Sequence, residues 1–380
     1  MPEQRPRVLF VGRGRYHLPL PAWLGKKWDA IEETIDYRVL GAAEPGSATR
    51  ADRFRLSAPA RPAALDGALF HSRLPFRVRR QILDFVPDAI VAADPLVGAA
   101  VLLGRRLAGV ATPVIVEVHG DWRTFTRGYG SSARRLLSPL TDQTSVFVLR
   151  RADATRALSG FTSGLIEGAR GEPATAMFPT YSDLSAFVAE PVKPLPQSPV
   201  AVFVGMLEAY KNIDGLAAAW RRVAAEMPEA RLVIVGKGRR RHVVDALIED
   251  VPGQVEYHRQ LSPGEIARHL DDATLLVLPS WPEGLGRVVI EAFARGRGVI
   301  ATGAGGVLDL VEDGVEGLLI PPADTDALVE ALVRVLSDRE LAARLGAAAH
   351  VRYADWHSTP EQFARQMREL VDETIVRGRM

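Results

Sequence analysis

Two glutamates, Glu283 and Glu291, bracket the stretch of this 380-residue chain with the most chemical content. An apolar run, Leu275–Leu278, ends at Pro279 and passes through Ser280-Trp281-Pro282-Glu283 into Gly284-Leu285-Gly286. Beyond that point apolar residues recur at helical spacing. Glycines at a helix start let a ligand approach the backbone closely. The exposed N–H groups and the helix dipole there favour an anion, phosphate above all. A carboxylate only accepts hydrogen bonds, so the two glutamates suit hydroxyl groups. Phosphate on the amides with an acid on either side fits a sugar nucleotide, one acid on the sugar and the other on the ribose. Each acid also has a plainer reading. Arg287, Glu291 and Arg295, spaced i, i+4, i+8, would make an exposed charge ladder over a buried face of Val288, Val289, Ala292 and Phe293. Glu283 would then only complement the helix dipole.

Other candidates are single residues. His119, in Val116-Glu-Val-His-Gly-Asp121, directly follows an apolar run, at the strand edge where ligands bind in open α/β sheets. A lone histidine is more often structural, and Asp121 is the weaker of the two. Gly12-Arg-Gly14 also follows a strand, but His17 stands where a dinucleotide fingerprint needs its third glycine. The chain has only five lysines, so Lys211 and Lys237, each close behind an apolar run, carry more information than any of its many arginines.

The elements that position these residues alternate. Strands are expected at Val8–Val11, Tyr37–Leu40, Ala89–Ala92, Val114–Val118, Ala154–Leu158, Val200–Val204, Arg231–Val235, Val255–Tyr257, Leu275–Leu278 and Val299–Ala301. Helices are expected at Arg77–Phe85, Ile213–Met227, Arg240–Glu249, Gly264–Leu270 and Pro360–Val376. Apolar strands alternating with helices imply an α/β class of parallel sheets covered on both faces. Glu190 to Pro199 holds four prolines in ten residues and reads as a stiff connector. The expected organisation is therefore an N-terminal Rossmann-like domain over 1–185, a linker over 186–199, a second Rossmann-like domain over 200–355 and a terminal helix over 356–380. Site residues on the facing edges of two such domains would line a cleft between them.

Composition narrows the function classes. Hydrophobic residues make up 47% of the chain and charged residues 24%, which excludes a disordered chain. No apolar run is long enough to span a membrane, and the short run after Arg7 is too brief for a signal core, so the expected location is cytoplasmic. There are no cysteines, and the eight histidines show no metal-site spacing. The net charge of +1 disfavours a nucleic-acid partner. It conceals 25 basic against 19 acidic residues in the first 190, an excess that suits a peripheral anionic membrane surface or a plainly solvated face.

Glu283-x7-Glu291, the Thr302-Gly-Ala-Gly-Gly306 turn and Gly317-Leu-Leu-Ile-Pro-Pro322 together resemble the donor-binding domain of retaining glycosyltransferases of family 4, the glycosyl transferases group 1. The resemblance runs from about Val200 to Pro322; the first half matches only in outline. It implies the GT-B architecture of two Rossmann-like domains and transfer of a sugar from a nucleoside diphosphate to an acceptor hydroxyl, with retention. The acceptor would be a glycan, a lipid-linked sugar or a small molecule. The resemblance places Glu283 on the donor sugar, Glu291 on the ribose, and the amides of Gly284, Leu285 and Gly286 on the diphosphate. Phe203-Val-Gly205-Met206 through Lys211 is similar to the family's strand end, putting Gly205 and Lys211 at the phosphates, with Met206 where the family carries arginine. Gly14 and His119 fall where the family approaches the donor phosphate and the reacting sugar. Val235-Gly-Lys237-Gly238 resembles the next glycine turn, with Lys237 near the nucleotide or merely solvated. Asp324-Thr-Asp326 superficially resembles the Asp-x-Asp metal motif of another glycosyltransferase class, but its position reads as a helix cap. The expected catalytic residues are His119, Glu283 and Lys211, with no metal and no cofactor beyond the donor. A sugar-nucleotide epimerase or hydrolase of the same fold, and a non-catalytic nucleotide-sugar-binding subunit, are the alternatives.

Overall fold

The computed structural model describes residues 5–62, 65–124 and 138–379. Two compact units emerge, one formed by Met1–Ser182 with Ser358–Met380 and the other by Asp183–His357. Each is a Rossmann-like α/β unit built on a largely parallel sheet.

In the first unit the strands are β1 (Arg7–Tyr16), β2 (Asp36–Ala43), β3 (Arg50–Ala51), β4 (Phe54–Ser57), β5 (Ala89–Ala92), β6 (Val114–Val118), β7 (Ala154–Ala157) and β8 (Ala176–Met177). Among the described residues they form one sheet in the order β3-β4-β2-β1-β5-β6-β7-β8, parallel except for the β3–β4 pair. Helices α1 (Ala22–Thr34), α2 (Asp66–Phe85), α3 (Pro95–Ala108), α4 (Ser138–Arg151) and α5 (Gly160–Arg170) accompany it. Helix α2 begins well before the expected Arg77. Pro75 lies inside it and masks the pattern, yet Phe70, Leu74, Val78, Ile82 and Phe85 keep one buried stripe across the interruption. Helix α3 starts where Asp94 accepts from Val97 N at 2.8 Å ahead of Pro95, and it ends at the left-handed Gly109. Gly12 and Gly14 are not in an open loop: β1 continues to Tyr16, and its pairing with β2 shifts register between Val11 and Arg15.

The second unit carries β9 (Val200–Val204), β10 (Arg231–Val235), β11 (Val255–His258), β12 (Leu275–Leu278), β13 (Gly298–Thr302) and β14 (Gly317–Ile320). The order is β11-β10-β9-β12-β13-β14, and every pairing is parallel. Its helices are α6 (Ser185–Val188), α7 (Ile213–Glu226), α8 (Arg241–Asp250), α9 (Pro263–Asp271), α10 (Arg287–Ala294), α11 (Val307–Leu310), α12 (Thr325–Ser337) and α13 (Arg339–Trp356). Apolar cores cover both faces, one around Phe203, Trp220 and Leu332, the other around Val202, Leu276 and Phe293. The chain runs outward through β9, β10 and β11, then returns to place β12 on the other side of β9. That reversal opens a crevice beyond the carboxyl ends of β9 and β12, where open α/β sheets hold ligands.

The final helix, α14 (Pro360–Arg379), belongs to the first unit. It buries Phe363, Met367, Leu370 and Val371 in a core with Trp28 and Ile31, and Arg368 donates to Thr34 O at 2.9 Å. The proline-rich stretch, read as a stiff connector, is held by side chains of the second unit. Residues 185–188 are helical, and the strap that follows is fastened to the second unit by two arginines, each 1% exposed. Arg295 donates to the carbonyls of Phe187, Glu190 and Pro191 at 2.7–3.0 Å, and Arg297 to those of Lys193 and Pro194 at 3.0 and 3.3 Å. Prolines cannot build a ladder that satisfies these carbonyls, so side-chain donors do it instead. Among the described residues, no helix is long and apolar enough to cross a membrane.

Candidate functional site

The crevice of the second unit brings together residues from two strand ends. After β9 the chain passes Gly205 and an exposed Met206, then makes a 3-10 turn at Ala209–Lys211 that the left-handed Asn212 closes. Lys211 is 8% exposed. Its ammonium donates to Glu283 Oε1 in the loop after β12, and Ser280 Oγ donates to the same oxygen at 2.5 Å. Glu283 Oε2 has no hydrogen-bond partner among the described residues, so the carboxylate keeps one acceptor, and the ammonium keeps two of its three donors. Trp281 N donates to Tyr210 O at 3.1 Å, a second tie between the two loops.

Gly284, Leu285 and Gly286 follow, and Gly286, at φ +89°, turns the chain into α10. The glycine turn after β13 lies directly against this segment. Gly306 N donates to Glu283 O at 2.8 Å, and a Cβ on Gly306 would sit 2.1 Å from Gly284 O. A Cβ on Gly305, at φ +76°, would sit 2.4 Å from Glu283 O. Only glycine permits this approach.

Glu291 is not part of an exposed ladder. It is 5% exposed and Arg295 is fully buried, so the i, i+4, i+8 pattern does not describe a solvent face. Arg287 Nε donates to Glu291 Oε1 at 2.8 Å. Burial pushes the Glu291 carboxyl above its ordinary range, with Arg287 pulling the other way. A buried carboxylate whose second oxygen has no hydrogen-bond partner among the described residues is placed to accept from hydroxyls.

Lys237 stands in the turn after β10 and donates to Gln260 Oε1 at 3.1 Å, the arrangement of a surface turn lysine. Its neighbour Gly236 is needed for packing, because a Cβ there would sit 1.8 Å from Gly205 O. Asp324 accepts from Ala327 N at 2.9 Å and caps α12, while Asp326 pairs with Arg222, so this dyad is a helix start, as its position implied.

His119, at the end of β6 in the first unit, is half-exposed, and its Nε2 lies 3.1 Å from Glu117 Oε2. Glu117 is held in turn by Arg156 Nε at 2.7 Å, and Arg156 also donates to Phe178 O and Thr180 Oγ1 at 2.9 Å each. Burial opposes the Glu117 charge, yet Arg156 and His119 hold its carboxyl well below the usual carboxylate range. Lys27 lies over the rings of Trp28 and Phe363, and burial lowers its pKa from 10.5 to about 8. Tyr16 is pushed up to about 12 by burial and by the Glu117 charge. Asp121 accepts from Arg123 N and Thr124 Oγ1 and acts as a local cap. Gly14 lies in the irregular part of β1, with the Tyr16 ring near the position its Cβ would occupy.

Sequence reasoning missed Ser280, Glu117 and Arg156. Glu117 and Arg156 sit inside strands that otherwise read as apolar runs, and a charge in such a run was the available signal. It also missed Glu256, His258 and His269, which the fold gathers from separate elements.

Comparison with known proteins agrees with the fold. Residues 4–179 match the glycosyl transferase 4-like domain, and residues 189–352 match the glycosyl transferases group 1. The chain is 30% identical over 290 residues to the putative teichuronic acid biosynthesis glycosyltransferase TuaC of Bacillus subtilis, covering 72% of this chain and 68% of TuaC. It is 30% identical to the sulfoquinovosyl transferase SQD2 of Arabidopsis thaliana over 43% of this chain, and 33% identical to the D-inositol 3-phosphate glycosyltransferase of Nocardia farcinica over 44%. In these two the chain spans only 32% and 39% of the relative's length. Among solved structures, a sucrose-phosphate synthase from Thermosynechococcus elongatus superposes with a TM-score of 0.77 at 20% identity, over 97% of this chain and 99% of the other. HepE of Anabaena, in complex with UDP and glucose, gives 0.68 at 18%, over 97% and 100%. With family matches on both units and two thirds of TuaC covered, the chain belongs to the group 1 glycosyltransferases.

Proposed function

We propose that the chain is a retaining glycosyltransferase that moves a sugar from a nucleoside diphosphate to an acceptor hydroxyl. The observation that carries this reading is the part-buried Lys211–Glu283 pair at the glycine-lined start of α10, with the buried Glu291 in the same helix. Glu283 Oε2 accepts from a hydroxyl of the donor sugar. Glu291 accepts from the ribose, and the N–H groups of Gly284, Leu285 and Gly286 face the diphosphate. As the glycosidic bond breaks, the ring gains positive charge and the diphosphate leaves as an anion. Lys211 and the helix start meet that growing charge, so the scheme needs no metal.

In the first unit His119 is the proposed group beside the reacting sugar, where it binds a hydroxyl or accepts the acceptor's proton. Glu117 orients it, and Arg156 keeps Glu117 ionised. That HepE is solved with UDP and glucose, and that TuaC bears a glycosyltransferase name, supports a nucleotide-sugar donor here.

The test is turnover of a panel of UDP-, GDP-, ADP- and TDP-sugars with lipid-linked and soluble sugar acceptors, reading nucleotide release and product configuration by NMR. A product with the donor's anomeric configuration is expected. Consumption of donor without acceptor would make the protein a hydrolase or epimerase, and an inverted product would overturn retention. Met206 stands where the family pattern has arginine, and it favours one rival, a binding subunit that holds nucleotide sugar and never turns it over.

A further inference from the structure

A second cluster of side chains, sharing no residue with the donor site, has the chemistry of a metal site. Glu256 and His258 stand i, i+2 on the edge strand β11 and therefore share a face. His269 comes from the last turn of α9. One ligating atom of each lies within 4.8 Å of the others. His258 Nε2 is 2.5 Å from Glu256 Oε1, and the two imidazole rings lie 4.8 Å apart at 50°. Both histidines are half-buried and Glu256 is exposed. Among the described residues, neither ring nitrogen of His269 has a hydrogen-bond partner.

We propose that Glu256, His258 and His269 bind a divalent transition ion of the zinc class, with water completing its shell. Two imidazoles and one carboxylate suit zinc and its neighbours, whereas magnesium and calcium prefer all-oxygen sets. Bonds of about 2.0–2.2 Å in tetrahedral geometry separate ligand atoms by roughly 3.4 Å. Side-chain shifts of about an ångström bring the cluster to that spacing, opening the Glu256–His258 pair and drawing His269 in. The ion would fasten the edge strand β11 to α9. It would also steady Gln260, two residues beyond His258, which meets Lys237 in the turn after β10.

The test uses the full, untagged, metal-stripped protein, titrated with Co2+ by visible absorption and with Zn2+ by calorimetry. One Co2+ per chain, displaced by Zn2+, is expected. His258→Gln and His269→Gln should each weaken Zn2+ binding at least tenfold, while His242→Gln, an exposed histidine elsewhere, should not. In the unaltered protein one equivalent of Zn2+ should shift the imidazole 15N signals of two of the eight histidines. This reading holds even if a variant folds poorly. The absence of a stoichiometric Co2+ spectrum, zinc binding that survives His269→Gln, or shifts at other rings would overturn the proposal.

Discussion

Lys211 is buried against a carboxylate and is one of only five lysines, so its replacement isolates a single charge. On the proposed reading, Lys211→Ala and Glu283→Ala each lower kcat by about 10²–10³-fold, the scale of removing one preorganised electrostatic contact. Circular dichroism should show an intact fold; steady-state rates near those of the unaltered protein would remove both residues from the reaction. The first unit offers a different test at Glu117. Removing one partner of a buried ion pair costs about 3–5 kcal/mol, so Glu117→Ala should show a loss of that order in urea denaturation by stranding Arg156. The pH dependence has a definite sign. The folded Glu117 carboxyl sits below its unfolded value, so its contribution is present above that unfolded value and is lost as pH falls toward the folded one. Lys27 behaves in the opposite region. Its folded pKa of about 8 lies below 10.5, so folding is favoured increasingly as pH rises between those two values. Isotope-labelled dimethyl-lysine NMR should show one signal titrating near pH 8 that disappears in Lys27→Met. The candidate-site residues around the start of α10 were legible because their types and order are local: an acid, three residues around a helix start, and a second acid. The Glu117–Arg156–His119 relay was not, since its members lie on neighbouring strands and meet only through the sheet.

At the scale of elements, close backbone approaches shape the candidate site of the second unit. A Cβ on Gly306 would collide with Gly284 O, so Gly306→Ala must displace either the glycine turn or the start of α10. Overpacking of this kind costs about 1–3 kcal/mol, and a thermal melt together with a nucleotide titration should show both stability and affinity falling. An affinity change with an unchanged melting temperature would contradict the packing argument. The fully buried Arg297 supports the strap in the same way. Each carbonyl it leaves unsatisfied costs about 1–3 kcal/mol, so Arg297→Leu should destabilise the second unit substantially in denaturant unfolding. The four-residue apolar strands were readable because every residue in β5 and β12 is buried and their side chains are apolar on both faces. The start of α2 was hidden by Pro75. The two-residue strands β3 and β8 are too short to carry a period, and the fastening of the linker was not legible because proline content says nothing of donors a hundred residues away.

Over the whole molecule, the division into two α/β units could be read from the alternation of strands and helices, because each strand needs both faces covered. The place of the last helix rests on its apolar stripe finding α1, three hundred residues earlier in the chain, and on the Arg368–Thr34 bond. The first unit's candidate residues are spread over several strands, so local sequence patterns do not gather them, although the unit as a whole matches its family model. Calorimetric titration of UDP, GDP, ADP and TDP, each with the unaltered protein and with Lys211→Ala, measures whether a diphosphate rests against that ammonium. One nucleotide should bind the unaltered protein and lose at least tenfold in affinity in the variant. Equal affinity in both proteins, or no binding of any of the four, would contradict the account.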